Sequence, residues 1–221
     1  MKTIKISLWL VLFSLLTVQN SNAQNKEWHT DRKVSVLFGL TQPLVLNGFN
    51  IEAAYVHNRF IFDYSHGMSL DFSDDLLTDD LQSQGVEVHI PFSTGFGVGY
   101  LFTRWLNVRV EPKWHRFEFY YQGDEQIASN QIAVDSRNFS LGLGIYGFFQ
   151  PFRNQQNALK GISVAPSIRF WPTVASSFEN NEFRYQNRNT GNTETLETLA
   201  SGIGFSPLII NLSIGYTLNF R

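Results

Sequence analysis

The stretch from Leu106 to His115 restricts the fold more than any other. Leu106, Val108, Val110, Pro112 and Trp114 alternate with Asn107, Arg109, Glu111, Lys113 and His115. A strand has a side-chain period of two, so one face is wholly apolar and the other is polar and charged. A soluble sheet can show the same alternation with its charges in water. The rest of the chain decides which solvent each face meets.

Residues 1–23 read as a secretory signal peptide. Lys2 and Lys5 form a basic leader, Ile6 to Val18 an apolar core, and Ser21-Asn22-Ala23 a small-residue end, with cleavage expected before Gln24. The apolar run is short for a transmembrane anchor. No later segment is a continuous apolar helix of spanning length, so a membrane-bound mature chain would cross as strands. The expected division is 1–23 signal peptide and 24–221 barrel domain.

The chain has 221 residues, 17 basic and 19 acidic. Removing Lys2 and Lys5 leaves 15 basic, a mature charge of −4 (15 − 19). No basic, aromatic cluster points to nucleic acid. The absence of cysteine excludes disulfides, thiol catalysis, cysteine-based metal sites and a lipidated N-terminal cysteine. Aromatics make up 15%, with 20 Phe, in a chain of slightly negative mean hydropathy. Alternating strands in lipid produce that combination.

The same alternation predicts eight strands. The first is Val34 to Thr41. The second is Phe49 to Val56, with Glu52 on the polar face. The third starts at Phe60, with Asp63 inward. The fourth is Phe92 to Phe102, with Gly95, Gly97 and Gly99 inward. The fifth begins at Leu106; its pattern changes phase at Arg116, as a bulge or an exit from the membrane would produce. The sixth is Asn138 to Phe149, with Gly142 and Gly144 inward. The seventh is Gly161 to Trp171, with Arg169 inward; Pro166 there needs an edge-like or bulged position. The eighth, about Leu208 to Phe220, has Leu208, Ile210, Leu212, Ile214, Tyr216, Leu218 and Phe220 outward. Long polar connections are expected at Asp71–Pro91, Gln122–Arg137 and Pro172–Ser206. The first could hold a short helix capped by Ser73 and ended at Gly85.

An even strand number with alternately short and long connections matches an outer-membrane barrel with periplasmic turns and outer loops. Each strand is near the spanning length of about 9–11 residues. Tyr55, Phe60, Phe102, Trp105, Phe149 and Phe220 fall near the short turns. Phe92, Trp114, Phe139, Phe170 and Trp171 fall near the long loops. They read as two interfacial girdles. A soluble sandwich or lipocalin-like barrel is the competing fold, with its aromatic face enclosed.

On these features the chain resembles the small, eight-stranded outer-membrane β-barrels of the OmpA type, in their Bacteroidota form. The resemblance covers essentially the mature chain. It implies an all-β, closed, up-and-down antiparallel transmembrane barrel in the outer membrane of a Gram-negative bacterium. It also implies contact with outer-membrane lipid and lipopolysaccharide, and delivery by the barrel-assembly machinery. Outward Tyr216, Leu218 and Phe220 are similar to the signal that such barrels present for insertion, although Arg221 follows the aromatic that usually ends it. Only the barrel half of that family is expected.

Glu52, Asp63, Arg109, Glu111, Lys113, His115 and Arg169 are expected in the lumen. An eight-stranded interior is just wide enough to be filled by side chains, so a plug of ion pairs is expected rather than an open channel. A narrow conduit for small solutes is the alternative. Asp71, Asp74, Asp75, Asp79 and Asp80 lack the spacing of a calcium loop and read as a solvated outer loop, so neither metal nor cofactor is expected. Outer loops of this kind suit an extracellular ligand. A barrel enzyme acting on lipid A or phospholipid would need a His, a Ser and a carboxylate near the lipid interface. His66, Ser69 and Asp71 are the candidates, with His115 and Glu118 second. The lipid A deacylases carry His and Ser two apart, a spacing that none of the five His here shows. A non-enzymatic protein is therefore expected.

Overall fold

The computed structural model describes residues 32–72, 85–121, 124, 132–188, 190–197 and 206–220. The expected signal peptide, most of the Asp71–Pro91 helix and Arg221 lie outside them. In chain order come β1 (Arg32–Gly39), a short helix α1 (Thr41–Val45), β2 (Phe49–His57), β3 (Phe60–Phe72), β4 (Val86–Leu101), β5 (Leu106–Tyr121), β6 (Val134–Gly147), β7 (Ile162–Phe170), β8 (Thr173–Ser176), β9 (Glu182–Gln186), β10 (Thr193–Glu197) and β11 (Leu208–Phe220).

β1 to β7 pair in sequence, and β11 pairs with both β7 and β1. The β1–β11 ladder runs from Arg32 opposite Phe220 to Gly39 opposite Ser213. The result is a closed, antiparallel, up-and-down barrel of eight strands. Closure pairs every strand on both sides, which removes the open edges that would otherwise invite aggregation. Among the described residues no helix is long and apolar enough to cross a membrane.

Both ends of the described chain lie at the lower end of the barrel, with the two-residue turn Asn58-Arg59 and the turn through Thr103-Arg104. Asn58 takes φ 56° there, a left-handed conformation that Asn tolerates. The Thr103 hydroxyl accepts the Leu106 N–H at 3.0 Å and closes its turn. The β3–β4, β5–β6 and β7–β11 connections leave from the upper end, and the β6–β7 connection, as long as the first two, lies at the lower end.

Alternation holds around the lower part of the ring. Phe62, Phe96, Val98, Leu143, Ile145, Ile168 and Ile210 face outward and are exposed, while their neighbours in sequence face in. The bottom of the interior is sealed by Ala54, Val56, Ile61 and Leu101.

The upper end departs from the sequence expectation. β4 begins at Val86, not Phe92, and β6 begins at Val134, not Asn138. β3 continues to Phe72 and β5 to Tyr121. The predicted polar connections Asp71–Pro91 and Gln122–Arg137 are thus partly strand, and Pro172–Ser206 contains β8, β9 and β10. In these extensions the inward residues are mostly apolar, Ser136 of β6 excepted. Leu70, Phe72, Val86, Val88, Ile90, Phe117 and Phe119 form one buried cluster, and Phe183 and Tyr185 of the β9–β10 hairpin pack into it. The Phe119 and Phe183 rings meet at 4.6 Å between centroids. The hairpin is a separate two-stranded sheet.

Of the two origins considered for the change of pattern at Arg116, a bulge in β5 is excluded. β5 keeps one register with β6 from Leu106 through Phe119, and Phe117 and Phe119 still point inward. The chemistry inverts while the geometry continues. The bulge lies on the neighbouring strands. Ser69 on β3 takes φ 52°, and the β4–β5 register slips between His89 and Phe92, at Ile90-Pro91. An extra residue shifts the facing by one, so β3 and β4 also present apolar residues inward above that level.

Pro166 sits where the β6–β7 ladder is broken. That ladder covers Leu143–Tyr146 against Ser167–Phe170 and then leaves an isolated bridge between Phe149 and Val164. A residue without an N–H fits such a gap.

Candidate functional site

The waist of the barrel holds a compact ionic cluster. Glu52 comes from β2, Asp63 from β3, Arg109, Glu111, Lys113 and His115 from β5, and Arg169 from β7. All seven are buried, and Arg109, Glu111 and Lys113 are each only 1% exposed. They gather because each stands on the inward side of its strand, four of them at successive inward positions of β5 and the others facing that run across the ring.

Arg109 is the hub. Its Nη1 donates to Glu52 Oε1 at 2.6 Å and to Asp63 Oδ2 at 3.1 Å, and its Nε donates to Asn107 Oδ1 at 2.8 Å. Its guanidinium lies 3.8 Å from the centroid of the Tyr146 ring. Arg169 stands 5.0 Å from the same centroid, with Nη2 3.8 Å from Glu52 Oε2 and Nε donating to Ser167 Oγ at 3.1 Å. Glu111 accepts the Tyr146 hydroxyl, and also Trp171 Nε1 at 2.9 Å. Lys113 Nζ donates to Ser65 Oγ at 2.5 Å. Three carboxylates and three cations are interleaved, which is the arrangement that makes buried charge tolerable.

Small residues make room for this cluster. A Cβ at Gly97 would collide with the Asp63 carboxylate, and one at Gly142 with the Trp171 ring. Close packing on the inward faces of β4 and β6 therefore has a specific content: glycine admits the acid and the indole. On the β11 side, Thr217 Oγ1 lies 2.9 Å from Ser35 Oγ and 2.7 Å from Ser163 Oγ.

Trp171 corrects the girdle expectation. It is 5% exposed, turned into the lumen beyond the end of β7, with its N–H on Glu111. Pro172 follows it, and the strand restarts as β8 only at Thr173. Sequence reasoning missed Trp171 as a lumen residue although it shares the inward parity of Ser167 and Arg169, because an aromatic at a strand end beside a long connection reads as a girdle residue. The remaining girdle residues divide. Phe102, Trp114 and Phe170 are exposed. Trp114 meets Phe139 at 5.1 Å and Phe96 at 6.5 Å. Phe149 is covered, 6% exposed, with Trp105 stacked at 6.0 Å. Tyr216, Leu218 and Phe220 stand outward on β11 and are exposed.

The candidate hydrolytic group is not assembled. Asp71 gives its carboxylate to His89 Nδ1 at 2.5 Å, across the β3–β4 ladder, and not to His66. His66 Nδ1 has no hydrogen-bond partner, and Ser69 occupies the kink in β3. His115 and Glu118 lie on opposite faces of β5, with Glu118 taken by the Tyr120 hydroxyl at 2.8 Å. Inside the lumen, His115 Nδ1 lies 2.8 Å from Ser93 Oγ, but its Nε2 has no partner, so no carboxylate completes a relay. Asp74, Asp75, Asp79 and Asp80 lie outside the described residues; among those described, no three His, Cys, Asp or Glu are placed to hold a metal ion.

The upper hairpin has its own polar fastening. Glu194 accepts from Tyr185, Asn187 and Thr190 at 3.0–3.1 Å. The Asn187 amide, with the other donors, holds the Glu194 carboxyl below its ordinary range. Burial, with the bond to Glu194, pushes the Tyr185 phenol up.

No family model matches the chain. No curated protein sequence matches it. Among solved structures it is similar to a major outer membrane protein from Thermus thermophilus, with 10% identity and a TM-score of 0.41, over 86% of this chain and 100% of that one.

Proposed function

We propose that this chain is a non-enzymatic integral outer-membrane β-barrel of the OmpA type, exported by a cleaved signal peptide. Its lumen is plugged by the ionic cluster, and its work is done at the upper end, where loops and the β9–β10 hairpin meet an extracellular ligand. Lipopolysaccharide and outer-membrane lipid surround it, and the barrel-assembly machinery inserts it.

One observation carries the reading: exposed apolar side chains ring the waist while buried charges fill it. A waist in water would be solvated the other way, with charges outside and the apolar face enclosed. A waist in lipid favours this arrangement, because a closed ring of strands leaves no open edge and the apolar face needs no cover. The interior supports a plug rather than a conduit. Apolar side chains close it below, the ionic cluster crosses its middle, and the hairpin covers the apolar cluster above.

The test is membrane fractionation followed by gel migration with and without boiling. The expected result is a band in the outer-membrane fraction whose mobility shifts on boiling. A soluble periplasmic band with no shift would overturn the proposal. Planar-bilayer recordings are expected to stay silent across salt and pH. Lipid A mass spectra are expected to be unchanged on expression.

A further inference from the structure

At the lower rim, the start of β1, the end of β11, the Thr103-Arg104 turn and the β6–β7 connection enclose a cavity of about 340 Å³. Arg32, Lys33, Arg104, Arg153 and Lys160 line it, and among the described residues that line it none is acidic. The chain carries a net charge of −2, so five cations around one cavity are a segregation that composition does not explain. They come from three separate segments, the start of β1, the Thr103-Arg104 turn and the β6–β7 connection, and are brought together only by closure of the ring. Clustered like charge on a firm frame raises the local potential and favours an anion.

Two further observations define that anion. Gln150 lines the cavity, and its buried Nε2 has no hydrogen-bond acceptor. Trp105 and Phe220 also line it, and Phe220 is half exposed on the outer face at the end of β11. The cavity therefore opens where the apolar belt ends. Guanidinium and ammonium groups suit phosphate oxygens. Aromatic rings beside them sit at the level of lipid headgroups.

We propose that this basic cavity binds the phosphate headgroup of an anionic phospholipid in the adjoining leaflet, with the acyl chains lying against the belt beside Phe220. The assignment rests on the outer-membrane reading. Arg32, Arg153 and Lys160 supply charge, and Gln150 supplies a donor to a phosphate oxygen.

The full chain, refolded in zwitterionic micelles, is exposed to equal amounts of phosphatidylglycerol and phosphatidylcholine with matched acyl chains, and retained lipid is read by native mass spectrometry. Wild type is expected to retain phosphatidylglycerol over phosphatidylcholine by about tenfold. The triple variant R32Q/R153Q/K160Q is expected to bring the ratio to about one. N154E, which sets an anion in the lining without removing a cation, is expected to lower the ratio too. R184Q, on the remote hairpin, is expected to leave it unchanged. Equal retention of the two lipids by wild type, or a preference that survives the triple variant, would overturn the proposal. Binding of inorganic phosphate by wild type without retention of phosphatidylglycerol would assign the cavity to a soluble anion and overturn it as well. The boiling shift is run on the same samples. If wild type shows no shift, the barrel reading falls and takes this one with it. A normal shift without lipid preference removes this proposal alone.

Discussion

On β5, Arg109, Glu111 and Lys113 point into the barrel at its waist, and a few residues further up Phe117 and Phe119 point into it at its cap. The outer faces are reversed in the same way. Val110 and Trp114 are exposed below, whereas above them Arg116 binds Asp135 at 2.8 Å, and His89 binds Asp71 on the neighbouring ladder. One strand, in one register, thus carries two opposite codes. Strand geometry fixes only which side a residue takes. The medium outside then selects which chemistry is stable there, and the interior receives the complement. Proposed contact with lipid at the waist and with water at the cap accounts for both.

The sharpest way to break this comparison is to remove the hub of the waist. Arg109→Met leaves Asp63 as a buried carboxylate without its cation and Glu52 with only the longer contact to Arg169, and is expected to destabilise the barrel by about 3–5 kcal/mol. A drop in the temperature of the boiling shift, or in the urea midpoint of refolded protein, measures it. Replacing Asp63 together with Arg109 by apolar residues of similar volume leaves two carboxylates against two cations and is expected to restore part of that loss. Next comes a charge on the outside. Ile145→Arg, in the belt, is expected to lose about 2–4 kcal/mol in a bilayer. Arg137→Glu, on the outside of the same strand in the cap, is expected to change stability by less than about 0.5 kcal/mol. Equal effects at the two sites would erase the distinction between waist and cap. Third, Leu70→Ala in the cap cluster is expected to lose about 2–3 kcal/mol of local stability. It should appear as proteolysis of the β9–β10 hairpin while the boiling shift stays in place.

The smallest expected effect is one of pH. The Glu194 carboxyl is held below its ordinary value in the folded hairpin. A group with a depressed folded value stabilises above its unfolded value, and that contribution disappears as pH falls through the folded one. Amide exchange across Asn187–Asn192 is expected to speed up, relative to a Glu194→Gln control, on going from about pH 6 to about pH 3.

Much of the ring was legible because period two is a local property. Leu106 to His115 alone orients Arg109, Glu111 and Lys113, and the same reading orients Glu52, Asp63 and Arg169. Their partners were not legible. Arg109 and Glu52 are 57 residues apart, and only the ring closure and the shear of the strands bring them to one height. The cap was hidden for another reason. Val86, Val88 and Ile90 alternate with Glu87 and His89 as clearly as the lower strands do, but Ser69 and Pro91 break the phase and the polar flanks suggest a loop. Trp171 was misplaced although its parity matches that of Arg169, because an aromatic at a strand end beside a long connection suggests the membrane interface.

The interrupted β6–β7 ladder has a mechanical consequence. β5 and β6 are laced from Leu106 to Phe119, while β6 and β7 share only Leu143–Tyr146, a detached bridge below and the β8 segment above. A closed hoop under lateral load parts at its thinnest stitching. If the wall is pulled sideways, the tear is expected to start beside Pro166 and run along that seam, leaving the first six strands together as one sheet.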